Sequence, residues 1–357
     1  MIFFLLFIAV VLLGGAKISK ENTGYISKEQ CNVVKGVCIL LVFLRHAQQY
    51  INSYGYEYER LGDMSYLLAD TAMGQLIVVM FLFYSGYGVA ESLQSKGVAY
   101  WRAFPRKRIL TTILNFDIAV MFFVVLSLVI GNNFGFDKLI LSLLGWESMG
   151  NSNWYIFVIV LCYFCSWLAM WIAKKFDGLP FSCIQAVLVL VVFLFLFFTK
   201  ESWWYDTIFA YMAGTLFSMK KKAWVGWLKK HYAKVLFLSV ISFLAFWHVV
   251  PLLNGKFFSS IPLAYHWVFG VNGNICSVFL VAIIVLISMK IKLQSRWLEW
   301  CGKNLFPLYI YQRLGMIMVS QYQDGLIPKC YPYFFIVICF VASCMIAYMY
   351  KYIQIKL

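Results

Sequence analysis

Apolar residues run along this chain in long unbroken stretches rather than in alternating stripes. Eleven such runs can be marked, near residues 1–16, 36–51, 73–93, 109–131, 154–173, 182–199, 203–219, 235–253, 267–289, 304–323 and 332–350. About 20 apolar residues are what a helix needs to cross the roughly 30 Å hydrocarbon core of a bilayer. The pattern therefore predicts an all-α fold, a polytopic membrane bundle of ten core transmembrane helices with one extra N-terminal helix at 1–16. Residues 1–30 are expected to form that helix and a cytoplasmic linker, and 31–357 the transmembrane domain proper. No positive residue precedes the first run and no small-x-small site closes it, which favours a retained helix over a cleaved signal. The longest connections are 52–72 and 132–153 on one side and 94–108 and 220–234 on the other. None is long enough for an independent soluble domain, and no heptad or solenoid period appears.

Composition agrees. The chain has 357 residues, 63% hydrophobic and 13% charged, a balance that excludes an ordinary soluble globule. Lys and Arg outnumber Asp and Glu by 30 to 15, a surplus that in a soluble protein would point to nucleic acid. Its distribution says otherwise. When the connections are numbered alternately, 23 of the 30 fall in one set. The other set holds Arg60, Lys138, Lys200, Lys256 and Lys329, while Arg45 and Arg313 lie inside spans. By the positive-inside rule the richer side is cytoplasmic and carries the C-terminus, in a multi-pass plasma-membrane protein with no nucleic-acid partner. The ten cysteines fall mostly within spans and read as small buried apolar residues, Cys162-x-x-Cys165 among them. There is no Walker A loop, Rossmann glycine fingerprint, HExxH or zinc-spaced cysteine pair, so no metal site is expected.

Ionisable groups inside apolar spans are costly and mark function by default. The main ones are Arg45, His46, Asp117, Asp206 and Arg313. Lys35 and His46 are eleven positions apart. At about 100° per residue that is three turns plus about 20°, so they share one helix face about 16 Å apart along the axis. An imidazole at that depth can take a proton from a hydroxyl and return it to a leaving group; the plainer reading is a histidine satisfied by a neighbouring helix. Arg45 is expected to pair with an intramembrane carboxylate such as Asp117. The stretch Ala99-Tyr-Trp-Arg-Ala-Phe-Pro-Arg-Lys-Arg-Ile-Leu mixes four positive charges with aromatics, suited to the phosphates and adenine of a nucleotide-like molecule or to anionic lipid. Lys220 to Lys222 read as membrane anchors. Tyr50 to Tyr66, with five tyrosines and Glu57, Glu59, Asp63 and nearby Asp70, could hold a sugar or form an interfacial aromatic belt.

Taken together these residues resemble the acyltransferase 3 family of integral-membrane O-acyltransferases. Lys35 to His46 is similar to the family's Arg/Lys-x10-His element. Phe81-Leu-Phe-Tyr-Ser-Gly-Tyr resembles its Ser-Gly-aromatic segment, and Phe104-Pro-Arg-Lys-Arg-Ile-Leu its basic stretch. Asn153-Trp-Tyr-Ile-Phe and Asn304-Leu-Phe-Pro-Leu-Tyr-Ile-Tyr-Gln look like two later segments, so the resemblance covers about 31–350. It implies transfer of an acyl group, acetyl first among them, from cytoplasmic acyl-CoA to a hydroxyl of an extracytoplasmic or lipid-linked glycan. Acetyl-CoA is then a donor substrate and no cofactor is bound. The resemblance makes His46 catalytic, as general base or through an acyl-histidine, and gives Lys35, Arg106, Lys107 and Arg108 the donor's phosphates. Arg45, Tyr84, Ser85, Trp154, Tyr309 and Gln312 would line the site. Two positions depart from the pattern. Thr111 stands where a second arginine would complete an Arg-x-x-Arg clamp, and Gln312 stands where many members have histidine. A transporter or flippase of a polysaccharide or lipid-linked precursor, with Arg45, Asp117 and Arg313 as a polar pathway, is the competing expectation.

Overall fold

A computed structural model describes residues 2–58, 63, 74–176 and 178–357. Nearly all of it is helix. In chain order the helices are α1 Ile2–Gly14, α2 Lys28–Ser53, α3 Val79–Phe104, α4 Thr111–Val129, α5 Phe136–Leu143, α6 Trp154–Lys175, α7 Phe181–Thr199 and α8 Phe209–Lys230. They continue as α9 Tyr232–Leu244, α10 Val250–Phe258, α11 Pro262–Ser288, α12 Arg296–Lys303, α13 Leu305–Ser320, α14 Leu326–Cys330 and α15 Pro332–Met349. One two-stranded ribbon, β1 Ala16–Ile18 against β2 Ile291–Leu293, is antiparallel with Lys17 opposite Lys292.

Seven helical stretches among the described residues are long and apolar enough to cross a membrane. The expected ten plus one is not reached on that count, for three physical reasons. Gly74–Val129 is continuous over 56 residues, which at 1.5 Å each is far longer than one crossing. The helix α8 carries five lysines in its second half, and α13 has 16 residues. The first helix has 13, about 20 Å of rise. It packs beside α2 as a short apolar helix.

Helix ends explain where the sequence bounds were off. Ser27 caps α2 by accepting from the amide of Gln30 at 3.3 Å, so the helix starts well before the apolar run does. Within α3, Gly97 takes φ 54°, a left-handed value glycine reaches without a Cβ penalty, and the helix changes direction there. Pro105, which has no N–H, then opens a π-turn over Pro105–Leu110. Thr111 and Thr112 donate their hydroxyls to the carbonyls of Arg106 and Arg108 at 2.9 and 2.6 Å. The position where an Arg-x-x-Arg clamp would be completed thus satisfies the turn instead.

Two close backbone approaches hold the bundle. A Cβ on Gly86 would lie 2.0 Å from the carbonyl oxygen of Tyr211, and one on Gly214 would lie 2.0 Å from that of Phe83. Between α2 and α12, a Cβ on Gly36 would lie 2.0 Å from the carbonyl oxygen of Leu298, and one on Gly302 would lie 1.9 Å from that of Asn32. Small residues let membrane helices approach where no hydrophobic effect pulls them together. Outside the core, apolar side chains such as Phe195, Phe198, Leu252 and Val341 are exposed, as a lipid-facing surface requires.

All ten cysteines are free, with Cys183 and Cys330 exposed. Lys17, Lys292, Lys229 and Lys303 gather at one end with the start of α2, through the β1–β2 ribbon, the Lys229–Glu21 pair at 2.5 Å and the α2–α12 contact. The C-terminal tail is bound near Arg106–Arg108, where Asn115 of α4 receives the amide of Ile355 at 2.9 Å and donates to its carbonyl at 3.0 Å. Of the acidic, tyrosine-rich segment, Asp63 accepts from Tyr56 and Tyr333, while Glu59, Tyr66 and Asp70 lie outside the described residues.

Replacing Gly86 by Ala should lower the thermal midpoint in detergent, by an amount equivalent to about 1–3 kcal/mol of overpacking. Gly88 of the same helix has nothing within 4 Å, so Gly88→Ala should leave the midpoint unchanged or raise it. Equal behaviour of the two variants in fluorescence-detected melting would refute the close approach.

Candidate active site

The stripe along α2 organises the site. Cys31, Lys35, Cys38, Val42, His46 and Gln49 recur at helical spacing on one face. The helix is unbroken from Lys28 to Ser53, so the sequence-derived register of Lys35 and His46 holds. Val42, Arg45, His46 and Gln49 line a cavity of about 460 Å³. Across it stands α13, whose Tyr309 and Arg313 share a face at i and i+4. Trp154, at the start of α6, and Trp203 close other sides.

His46 is 8% exposed, and its ring lies 6.4 Å from that of Tyr309. Its Nδ1 is buried with no hydrogen-bond partner among the described residues. Arg313, Arg45 and Gln312 are the polar side chains that reach it. Among the described residues no carboxylate orients the imidazole, unlike in a histidine-acid dyad. Gln312 donates to the carbonyl of Tyr309 at 2.9 Å and is fully buried. Arg313 donates to Gln49 Oε1 and sits over the Tyr50 ring at 5.9 Å. The expected Arg45–Asp117 pair does not form: Asp117 Oδ1 is buried without a partner among the described residues.

One wall of the cavity is a loop that holds itself in place. Asn153 donates to the carbonyls of Gly145 and Glu147 at 2.8 and 2.9 Å, and Ser148 to that of Asn151 at 2.6 Å. The Asn151 side chain accepts from the Met149 amide at 3.1 Å. Lys200 pins the loop from behind, donating to the carbonyl of Trp146 at 2.8 Å and lying 3.6 Å from its ring centroid. Ser148, Asn151, Ser152 and Asn153 all face the cavity. Sequence reasoning missed these four residues, although three of them form the Asn151-Ser152-Asn153 run just ahead of Trp154.

The residues assigned to the other end separate into two groups. Lys35 and Tyr84 meet at Cys31. Lys221 belongs there too, donating to the Tyr87 hydroxyl at 2.7 Å and acting on the same thiol. It was expected to be an anchor. Burial, with Glu91 nearby, pushes the Tyr25 hydroxyl beside this group up to about 12, so it remains a donor at neutral pH. Beneath lies a polar cavity of about 660 Å³ lined by Lys221, Lys222, Lys229, Glu21 and Glu91. By contrast, Arg106 and Lys107 project outward from the π-turn. Arg108 is exposed as well, with Tyr163, Tyr100 and Tyr211 on its inner side. The basic triad and Lys35 are therefore at the same end but not in one cavity. Inward of the triad the Tyr163 ring meets those of Phe104 and Tyr211 at 5.9 and 6.3 Å, and two turns earlier on α6 Tyr155 meets Phe81 at 5.9 Å. The Tyr155 ring is 5.3 Å from Tyr309, next to His46.

The arrangement brings a buried imidazole, two guanidinium groups and a tyrosine hydroxyl around one cavity, with cations at the far end of the same helix. The sequence profile of the acyltransferase 3 family, described as an acyltransferase domain, matches residues 29–349. The chain belongs to that family. It is a membrane acyltransferase, acting on an acyl donor and an acceptor. Neither a curated protein nor a solved structure matches it. In this acyltransferase no group of three His, Cys, Asp or Glu among the described residues could hold a metal ion.

The Tyr309 hydroxyl is buried without a partner among the described residues. Tyr309→Phe should therefore keep or slightly raise the thermal midpoint, because it removes an unsatisfied polar group. Turnover should fall about 10²-fold, the low end of what a positioned donor supplies. Unchanged turnover would take the hydroxyl out of the chemistry.

Proposed function

We propose that this acyltransferase moves an acyl group, acetyl in the simplest case, from cytoplasmic acyl-CoA to a hydroxyl of an extracytoplasmic or lipid-linked glycan. The observation that carries the reading is the α2 stripe, which joins a cationic end at Lys35 to an imidazole facing a cavity at the opposite end. Its basic end is the cytoplasmic side by the positive-inside rule. The thioester would reach His46 from that side and the acceptor from the other, so the acyl group crosses while neither substrate does.

In this reaction His46 takes the proton of the acceptor hydroxyl as the oxygen attacks the thioester carbonyl. A C–O bond forms, the C–S bond breaks, and the proton passes from His46 to the departing CoA sulfur. The oxyanion formed on the carbonyl is met by Arg313, Arg45 or the Tyr309 hydroxyl, donors already held around the cavity. Trp154 and Gln312 shape the space about the ring, and Tyr84 and Ser85 the path toward it. Lys35 meets the donor's phosphates, and Arg106, Lys107 and Arg108 offer further charge at the same face.

His46→Ala should lower free-CoA release from acetyl-CoA in nanodiscs by about 10²–10⁴-fold, the range for losing a general base, while the protein stays folded in the membrane. A variant with full activity would remove His46 from the chemistry. Lys35→Glu should raise the acetyl-CoA KM about tenfold, equivalent to about 1.4 kcal/mol of binding, with kcat little changed. An unchanged dependence on donor concentration would remove Lys35 from the site.

A further inference from the structure

At the end of the bundle away from the lysine cluster lies a second polar cavity, of about 530 Å³. Its walls come from the end of α4, the connection before α5, and the ends of α2 and α13. Tyr50 and Phe134 supply rings, Asn132, Asn133 and Gln321 supply amides, and Lys138 supplies a charge. Ser148 lines both this cavity and the one around His46. Tyr50 lies in the second and carries the Arg313 guanidinium of the first over its ring. The two cavities therefore adjoin.

Their charges are one-sided. Together they are lined by Arg45, Arg313 and Lys138, and among the described residues no carboxylate lines either. This is unlike the cavity at the lysine-rich end, where Glu21 and Glu91 stand beside the lysines. Asp137, next to Lys138 in the chain, is turned back against Gly135 at the start of α5. Lys200, another cation of this end, is spent on the Trp146 and Trp204 rings and the Trp146 carbonyl. Lys138 is exposed and makes no ion pair among the described residues. A cleft lined by one sign of charge concentrates ligands of the opposite sign. Rings and amides beside such a charge are the surface a sugar ring needs, one face apolar and its edge hydroxyls hydrogen-bonded.

We infer that this outer cavity is the acceptor's subsite and that the acceptor is an acidic saccharide, its anionic group on Lys138 and a sugar ring against Tyr50. One residue of that saccharide then extends past Ser148 to present a hydroxyl to His46. The inference rests on the acyltransferase reading for the role of the groove, but not for its occupancy, which can be measured without any donor.

The test is binding of trigalacturonate to the full chain in phosphatidylcholine nanodiscs, with three comparisons. Its fully methyl-esterified form, the same sugar without charge, should bind at least tenfold more weakly. Lys138→Gln should weaken the acid at least fivefold and remove most of its advantage over the ester. Tri(glycerol phosphate), an anion without a sugar ring, should bind more weakly than trigalacturonate. Equal affinity for acid and ester, a charge preference untouched by Lys138→Gln, equal binding of the ring-free anion, or no binding of the acid would each overturn the inference. The two readings fail separately. Charge-dependent binding without His46-dependent CoA release would remove the acyltransferase chemistry and keep the groove. The reverse result would remove the groove and keep the chemistry.

Discussion

One uninterrupted helix sets the geometry of both ends of this protein. Because α2 runs from Lys28 to Ser53 without a kink, the separation of Lys35 and His46 is fixed by helix rise rather than by the packing of loops. The neighbouring helices are drawn onto that rod by glycines whose missing side chains let backbone meet backbone, Gly36 and Gly302 on one side. In a medium where apolar faces gain nothing by meeting, such contacts replace the hydrophobic drive as the source of order. The Tyr155 and Tyr309 rings, 5.3 Å apart, take their place around this frame.

The long apolar runs identified the class of fold, and the spacing of Lys35 and His46 placed both on one face of a single helix. Both signals are periodic and local, so they survive in a single sequence. What failed depended on side chains finding partners across the bundle. The Arg45–Asp117 pair was plausible by depth alone, yet depth does not say which way either side chain turns. Lys221 looked like one more anchor among lysines, and its place beside Tyr87 and Cys31 exists because α8 packs on α3 through Gly86 and Gly214. The self-bonded loop at Ser148–Asn153 carried a composition signal, two asparagines and a serine before Trp154. Nothing in one sequence says that such a loop faces a histidine on another helix. Helix bounds were off where polar first turns, such as that of α2 behind Ser27, lie outside the apolar run.

The two ends differ in how charge is satisfied. Toward the start of α2, lysines are balanced by tyrosine hydroxyls and by Glu21 and Glu91. Around His46, the Arg313 guanidinium is held by an amide and an aromatic face, Gln49 and Tyr50. Weakly hydrated, planar guanidinium suits such half-apolar company, and the compact ammonium suits the wetter end. Among the described residues the imidazole has guanidinium groups and no carboxylate around its cavity, so an anion that enters meets a positive field.

The small ribbon that pairs Ala16–Ile18 with Ile291–Leu293 has a meaning for how the protein is made. Its first strand leaves the ribosome some 270 residues ahead of its second. The same holds for Asn22, whose side chain donates to the carbonyls of Ser288 and Ile291. At roughly 5–20 residues per second during synthesis, the first strand waits about a quarter of a minute or more with its edge unpaired. The end of the bundle that holds Lys35 is thus sealed only after the eleventh helix has been inserted, so a chain interrupted before that point has a membrane body but an open mouth.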